Sequence, residues 1–280
     1  MEPKLKLFTD SAADLPHPIR ERYDVGVVPL SVVFGNREYK DGATITAEEF
    51  YRLLASEPDL PSTNQVNPHE FVEVFAPYVS AGYHILYIGL SHRLSGTLQS
   101  AVIAKELLKT DRIHVFDSYS ASLGEALYVL HAAEMAESGL AAPEIVAELE
   151  RHRQDAFGFF MLDALDHIVR GGRLSKAQGF VGSLLQIKPI LHFTPEGTIE
   201  VREKARTTKK ALQALIDRAL AEPVDFANAT VAVAHTNAGA VFDEFVAMVK
   251  EQLRPKRVIT GLVGPTVAAH AGPGGIGIFY

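Results

Sequence analysis

Ten short runs of β character, at residues 5–8, 25–34, 84–89, 113–117, 157–162, 189–193, 198–204, 230–235, 258–263 and 275–280, alternate with segments whose apolar residues return every three or four positions. Nothing else in the sequence limits the available folds as much, because chains with this alternation build α/β structures in which helices cover a partly or wholly parallel sheet. The helical segments read as 47–55, 68–81, 96–108, 120–138, 143–153, 207–221 and 238–253. Two helix starts are explicit: Thr46-Ala47-Glu48-Glu49 has the capping-box pattern, and Asn67-Pro68-His69-Glu70 supplies a cap, a first-turn proline and an acid. In Phe193-Thr194-Pro195-Glu196-Gly197-Thr198 a Pro/Gly turn separates two β-like runs. The second half therefore contains a hairpin that a purely parallel sheet lacks. The expectation is two domains, residues 1–155 with a mostly parallel sheet and residues 156–280 with a mixed one.

Composition narrows the chemistry. The 280 residues include no cysteine, which removes thiol catalysis, Cys-ligated zinc and iron–sulfur clusters and suits a reducing cytoplasm. A formal charge of −7 argues against a nucleic-acid partner, since phosphate binding relies on clustered Lys and Arg. Met1-Glu2-Pro3-Lys4 lacks the basic-then-apolar pattern of a leader, and no stretch approaches the roughly 18–20 apolar residues of a membrane span. A soluble, unprocessed, cytoplasmic protein is expected. Hydrophobic residues make up 47% and mean hydropathy is +0.07, which fits an apolar cavity or an ordinary large core.

The run His84-Ile85-Leu86-Tyr87-Ile88-Gly89 ends in Leu90-Ser91-His92-Arg93-Leu94-Ser95-Gly96-Thr97, a hydroxyl-rich turn at a helix start. Two readings stand for Ser95: a plain N-cap, or a ligand for an anion at the carboxyl end of a strand. Gly272-Pro273-Gly274-Gly275-Ile276-Gly277 spells G-x-G-x-x-G, but only three residues follow it, so no helix can receive a pyrophosphate. Gly171-Gly172-Arg173-Leu174-Ser175-Lys176 is Gly-rich and basic without phosphate-loop spacing. Its glycines read as the end of a helix over 163–170, with Ser175 capping the next, and Arg173 is the residue this reading leaves over. Ser95 lies outside G-x-S-x-G. A hydrolase or small-molecule kinase using Ser95, His270 and an aspartate nevertheless stays open, because His235 and His270 both follow apolar runs. Asp10 and Asp117 each precede a serine at a strand end, a pattern of local side-chain to backbone bonding or, alternatively, of a magnesium site. No tight metal-ligand spacing occurs, and none is expected.

Taken in order, Thr9-Asp10-Ser11-Ala12-Ala13-Asp14, Pro61-Ser62-Thr63-Asn64-Gln65, Leu94-Ser95-Gly96-Thr97, Gly171-Gly172-Arg173-Leu174-Ser175-Lys176, Ile187-Lys188-Pro189-Ile190-Leu191 and His270-Ala271-Gly272-Pro273-Gly274 resemble the DegV family of bacterial fatty-acid-binding proteins. The resemblance implies an N-terminal three-layer α/β/α domain, a C-terminal α/β domain with a mixed sheet, and a ligand tunnel between them. It implies a long-chain fatty acid such as palmitate, stearate or oleate as the bound ligand, and no cofactor. It further implies a non-catalytic role as the acyl-carrying subunit of fatty acid kinase, in phospholipid metabolism. A separate ATP-binding subunit would phosphorylate the carboxylate to an acyl phosphate, and any membrane contact would be transient. By motif, Thr63, Ser95 and His270 would bind the carboxylate, while Arg173 and Arg206 would lie near the head group or at the kinase-docking face. His92-Arg93, Asn64 and Ala268 depart from the usual family pattern without removing a carboxylate ligand. A lipid-sensing regulatory module is the remaining alternative.

Overall fold

The computed structural model describes residues 4–175 and 187–280. β1 (Leu5–Asp10), β2 (Gly26–Val28), β6 (His84–Gly89) and β7 (Ile113–Asp117) form a parallel sheet in the order β2-β1-β6-β7. From β1 the chain steps outward to β2 through the short helix α1 (His17–Arg22), whereas β6 steps the opposite way to β7. The β1/β6 junction is thus a topological switch point, and open parallel sheets bind ligands in the crevice at the carboxyl ends of such strands. The chain segments after Asp10 and Gly89 both start there.

The second sheet draws all its strands from residues 158–279: β8 (Gly158–Met161), β9 (Lys188–Phe193), β10 (Ile199–Ala205), β11 (Thr230–His235), β12 (Arg257–Leu262) and β13 (Ile276–Phe279). Its order is β10-β9-β8-β13-β11-β12, antiparallel everywhere except β11 with β12. The β9–β10 hairpin is the one expected from the Pro/Gly turn.

Helix α5 (Leu123–Glu137) packs on β1 and β6 of the first sheet and on β11 and β13 of the second. Being covered from both sides, it is apolar nearly all round and buried along most of its length. One apolar cluster accordingly spans both halves, joining Phe50, Leu123 and Leu127 to Ala232, Val263 and Phe279. Within α5, Glu125 is buried; the Thr9 hydroxyl donates to Oε1 at 2.8 Å and Oε2 has no partner. Burial pushes this carboxyl well above the ordinary range, because desolvation disfavours the charged form.

The structure corrects several readings. The run at 25–34 is two strands in different sheets, because Pro29 has no N–H to continue a ladder and Leu30 N donates instead to the Ser11 hydroxyl at 3.0 Å. Its second part, β3 (Ser31–Phe34), joins β4 (Arg37–Lys40) and β5 (Ser62–Asn64) in a third sheet, antiparallel throughout and ordered β4-β3-β5, which the sequence reading lacked. The helix expected from residue 120 starts at Leu123, since the Ser118 hydroxyl donates to Ser120 O at 3.2 Å and accepts from Ser120 N at 3.1 Å, and Ser122 adopts φ 54. Helices α2 (Ala47–Ser56), α3 (Pro68–Ser80), α6 (Ala142–His152), α8 (Thr208–Ala221) and α9 (Ala240–Gln252) lie where the periodicity placed them, and both expected capping boxes are formed. The helix that Ser175 was expected to cap falls outside the described residues.

Candidate functional site

Helix α4 runs over Thr97–Leu108, and its N-cap is Gly96, not Ser95. Ser95 stands one residue further out: its Oγ accepts from Thr97 N at 3.2 Å and pairs with Thr97 Oγ1 at 2.9 Å. A Cβ at position 96 would lie 2.1 Å from Gln65 Oε1. The Gln65 side chain, just after β5, therefore packs directly over Gly96, and a larger residue there would have to push it aside.

Thr63 is the middle residue of β5 and pairs with Val32 of β3. His270 lies in the last turn of α10 (Pro265–Ala271), a helix too short to show periodicity. Thr63 Oγ1 and His270 Nε2 are 2.8 Å apart although 207 residues separate them in sequence. The other ring nitrogen, Nδ1, is buried without a hydrogen-bond partner among the described residues. It rests on Gly171, where a Cβ would come within 2.2 Å of it. Burial first, then the Arg173 and His167 charges, push the imidazole down to about 4, so the ring is neutral at pH 7.

Arg173 follows α7 (Asp166–Arg170), a shorter helix than the 163–170 expected. Its Nε donates to Leu94 O at 3.0 Å and its Nη1 to Gly171 O at 2.5 Å. The guanidinium thereby ties the Ser95 turn to the glycine pair beneath His270. Thr63, Ser95, Arg173 and His270 are each half-buried, and all four line one cavity of about 370 Å³. That volume is within the roughly 300–1,000 Å³ of small-molecule pockets. The remaining wall is largely apolar, with Leu30, Leu94, Ile168, Phe193, Ile199 and Phe279 contributed by both halves of the chain.

Other expected residues lie elsewhere. Arg206 is exposed between β10 and α8 and does not line the cavity; Lys209 and Lys210 beside it are exposed as well. His92 and Arg93 are exposed, with His92 Nδ1 2.6 Å from Asp117 Oδ2. Asp10 does what local bonding predicts: its oxygens accept from Ala12 N, Leu90 N and the Tyr87 hydroxyl at 3.0, 3.2 and 2.6 Å. Asp117 likewise accepts from Tyr119 N at 3.1 Å. Among the described residues no group of three or more His, Asp or Glu is arranged to hold a metal ion, and no helix is long and apolar enough to cross a membrane. The sequence reading missed Gly171 as the seat of the His270 ring and Leu94 O as the anchor of Arg173. The double glycine was the visible signal for the first; a backbone carbonyl leaves none.

Serine-hydrolase chemistry needs a base hydrogen-bonded to the nucleophile and an acid orienting the base. Here Ser95 pairs with Thr97, and His270 pairs with Thr63 while its Nδ1 meets no carboxylate. The arrangement instead offers hydroxyl, imidazole and guanidinium groups at an apolar cavity, a set of donors chemically suited to an anionic oxygen.

The DegV family model, described as an uncharacterised protein of that family, matches residues 4–280. A DegV domain-containing protein of Caldanaerobacter subterraneus is 38% identical over 277 residues, covering 99% of this chain and 98% of the relative. Among solved structures, a DegV family protein from Thermus thermophilus described by its fatty acid binding is 32% identical with a TM-score of 0.92, covering 99% and 98% of the two chains. The Streptococcus pneumoniae fatty acid kinase B3 protein, loaded with linoleic acid, shares the fold at 24% identity and a TM-score of 0.85 over 99% of each chain.

Proposed function

As a chain that belongs to the DegV family, this protein, we propose, holds a long-chain fatty acid in the cavity and presents its carboxylate to a separate ATP-dependent kinase subunit, which converts it to an acyl phosphate. The observation that carries the reading is the Thr63–His270 pair beside Ser95 and Arg173 on an otherwise apolar wall. A C16 tail brings about fourteen methylenes at roughly 0.8 kcal/mol each, an upper bound near 11 kcal/mol, before ordering costs. The tail supplies the affinity and the polar cluster prevents its loss, since an unpaired buried carboxylate costs several kcal/mol.

The kinase role has a physical rationale in what the chain provides. Phosphoryl transfer to a carboxylate depends on an aimed oxygen and on charge neutralisation around ATP. This protein would aim the oxygen; ATP and magnesium would arrive with the partner, and no cofactor of its own is needed. Arg206 with Lys209 and Lys210, exposed away from the cavity wall, suits a docking face for that subunit rather than contact with the head group. Long-chain acids such as palmitate, stearate and oleate are the proposed ligands, and the work belongs in the cytoplasm.

Mass spectrometry of an extract from natively purified, then denatured, protein is expected to find a long-chain acid. Finding none, together with no uptake of added acid, overturns the reading. Thr63→Ala combined with Ser95→Ala is expected to weaken acid binding by about tenfold or more, roughly 1.4 kcal/mol at least, since both hydroxyls donate to a charged carboxylate and water replaces only part of what they supply. A neutral ester of the same acid should bind as before; equal losses for acid and ester place the carboxylate elsewhere.

A further inference from the structure

The stretch Thr9-Asp10-Ser11-Ala12-Ala13-Asp14 contributes nothing to the cavity wall. Asp14, together with the distant Asp41, meets the N-terminus of α10 instead. Gly264 N donates to Asp14 Oδ1 at 2.7 Å, and Thr266 N donates to Asp41 Oδ2 at 3.0 Å. A Cβ on Gly264 would lie 2.8 Å from Asp14 Oδ1 and 3.4 Å from Asp41 Oδ1, so the two carboxyls converge on one backbone position. The grip is itself held. Ser122 Oγ donates to Asp14 Oδ2 at 2.5 Å, Asp41 N donates to Leu30 O at 3.0 Å, and the Tyr51 hydroxyl donates to Val263 O at 2.9 Å.

Every gripping residue precedes residue 123, and every gripped group lies in 263–266. Helix α10 has no side-chain N-cap of its own, so these carboxyls satisfy N–H groups that would otherwise be orphaned. Four residues after Thr266, and on the same helical face, stands His270. We propose that Asp14 and Asp41 are positioning residues for the head-group site: by clamping the start of α10 they set the height and rotation at which His270 meets Thr63. This deepens the fatty-acid reading and rests on it. Directed hydrogen bonds to a carboxylate lose strength within a few tenths of an ångström and tens of degrees, whereas apolar contacts with a flexible tail adjust. A loosened α10 therefore penalises the acid head selectively.

The test compares hexadecanoic acid with its methyl ester by equilibrium dialysis against wild type, Asp14→Ala, Asp14→Asn, Asp41→Ala and His270→Ala. The alanine variants at 14 and 41 are expected to lose about tenfold in acid affinity and less than about twofold for the ester. Asp14→Asn keeps an accepting oxygen and tolerates the left-handed φ of 50 at this position. It should stay within about threefold of wild type for the acid. Equal losses for acid and ester, an unchanged acid affinity, or failure of both alanine variants to fold would make the two acids general buttresses and overturn the proposal. If wild type and His270→Ala alike fail to tell acid from ester, the fatty-acid reading itself is wrong and the positioning role falls with it.

Discussion

Gly171→Ala is expected to lower fatty-acid affinity about a hundredfold, close to 2.7 kcal/mol, while leaving the chain folded. The backbone at Gly171 is ordinary helical, φ −68 and ψ −12, so alanine meets no conformational penalty there. What it meets is the His270 ring, with Nδ1 2.2 Å and Cε1 3.0 Å from the new Cβ, and the His167 carbonyl oxygen at 3.1 Å. The carbonyl is backbone of the helix that ends at Arg170, whereas the ring is a side chain held at one edge by a single hydrogen bond to Thr63, so the ring gives way. It then leaves Thr63 Oγ1, and the carboxylate loses a hydroxyl whose direction the ring had fixed. Hydrogen bonds to a charged group are worth about 1.5–3 kcal/mol each, which supports the hundredfold figure. The neighbouring glycine supplies the control. Gly172 has φ +69 and, among the described residues, nothing within 4 Å of its would-be Cβ, so Gly172→Ala should cost about 1 kcal/mol of stability and no affinity. Calorimetric titration of both variants with the same acid, beside urea melts, separates the two effects. Equal affinities would mean that His270 takes no part in binding.

The contrast between these glycines also shows where sequence reasoning reaches its end. Gly171-Gly172 is legible as a helix stop. That one glycine exists for a turn and the other for an imidazole nearly a hundred residues away is a fact of packing. The α/β class, the β9–β10 hairpin and both capping boxes followed from periods of two and 3.6 residues and from turn chemistry, all local properties. Thr63 escaped because Ser62–Asn64 is a three-residue polar strand, and its strand identity comes entirely from pairing with β3. Helix α10 escaped because seven residues give too few turns for a face to emerge. Ser95 is not the cap that its residue type suggested: Gly96 holds that position, packed under Gln65 from across the fold. Resemblance to a family brought residues 63, 95, 173 and 270 together on paper; physics on the bare sequence had no way to pair them. It also left Arg206 between two sites, and the exposed position of that residue favours the surface one.

Arg173→Met should weaken acid binding by at least about a hundredfold, roughly 2.7 kcal/mol, with the ester unaffected. Unit charges 4 Å apart attract by about 4 kcal/mol at an effective dielectric near 20, and part of that is spent on desolvating the pair. Methionine keeps the apolar stem but deletes the donors to Leu94 O and Gly171 O, so the Ser95 turn also loses its tie to the His270 seat. The same substitution has a second, independent readout in His270. Burial is the main reason this ring sits at about 4 instead of 6.5, and the Arg173 charge is the next. Removing the guanidinium lifts the value partway, which a histidine NMR titration reads directly. Between about 4 and 6.5 the unfolded chain binds a proton on this ring that the folded protein refuses, so unfolding takes up protons and stability falls as pH drops through that window. A higher folded value narrows the window from below. The variant should therefore lose less stability than wild type between pH 7 and pH 4.5 in parallel denaturant melts. Asp10, raised by burial to about 6, titrates with the opposite sign over much of the same range, and because both proteins share it the difference between them isolates His270. An acid affinity that survives the loss of Arg173, with the His270 titration shifted as described, would place the bound carboxylate beyond the reach of the guanidinium and leave Thr63, Ser95 and His270 to hold it alone.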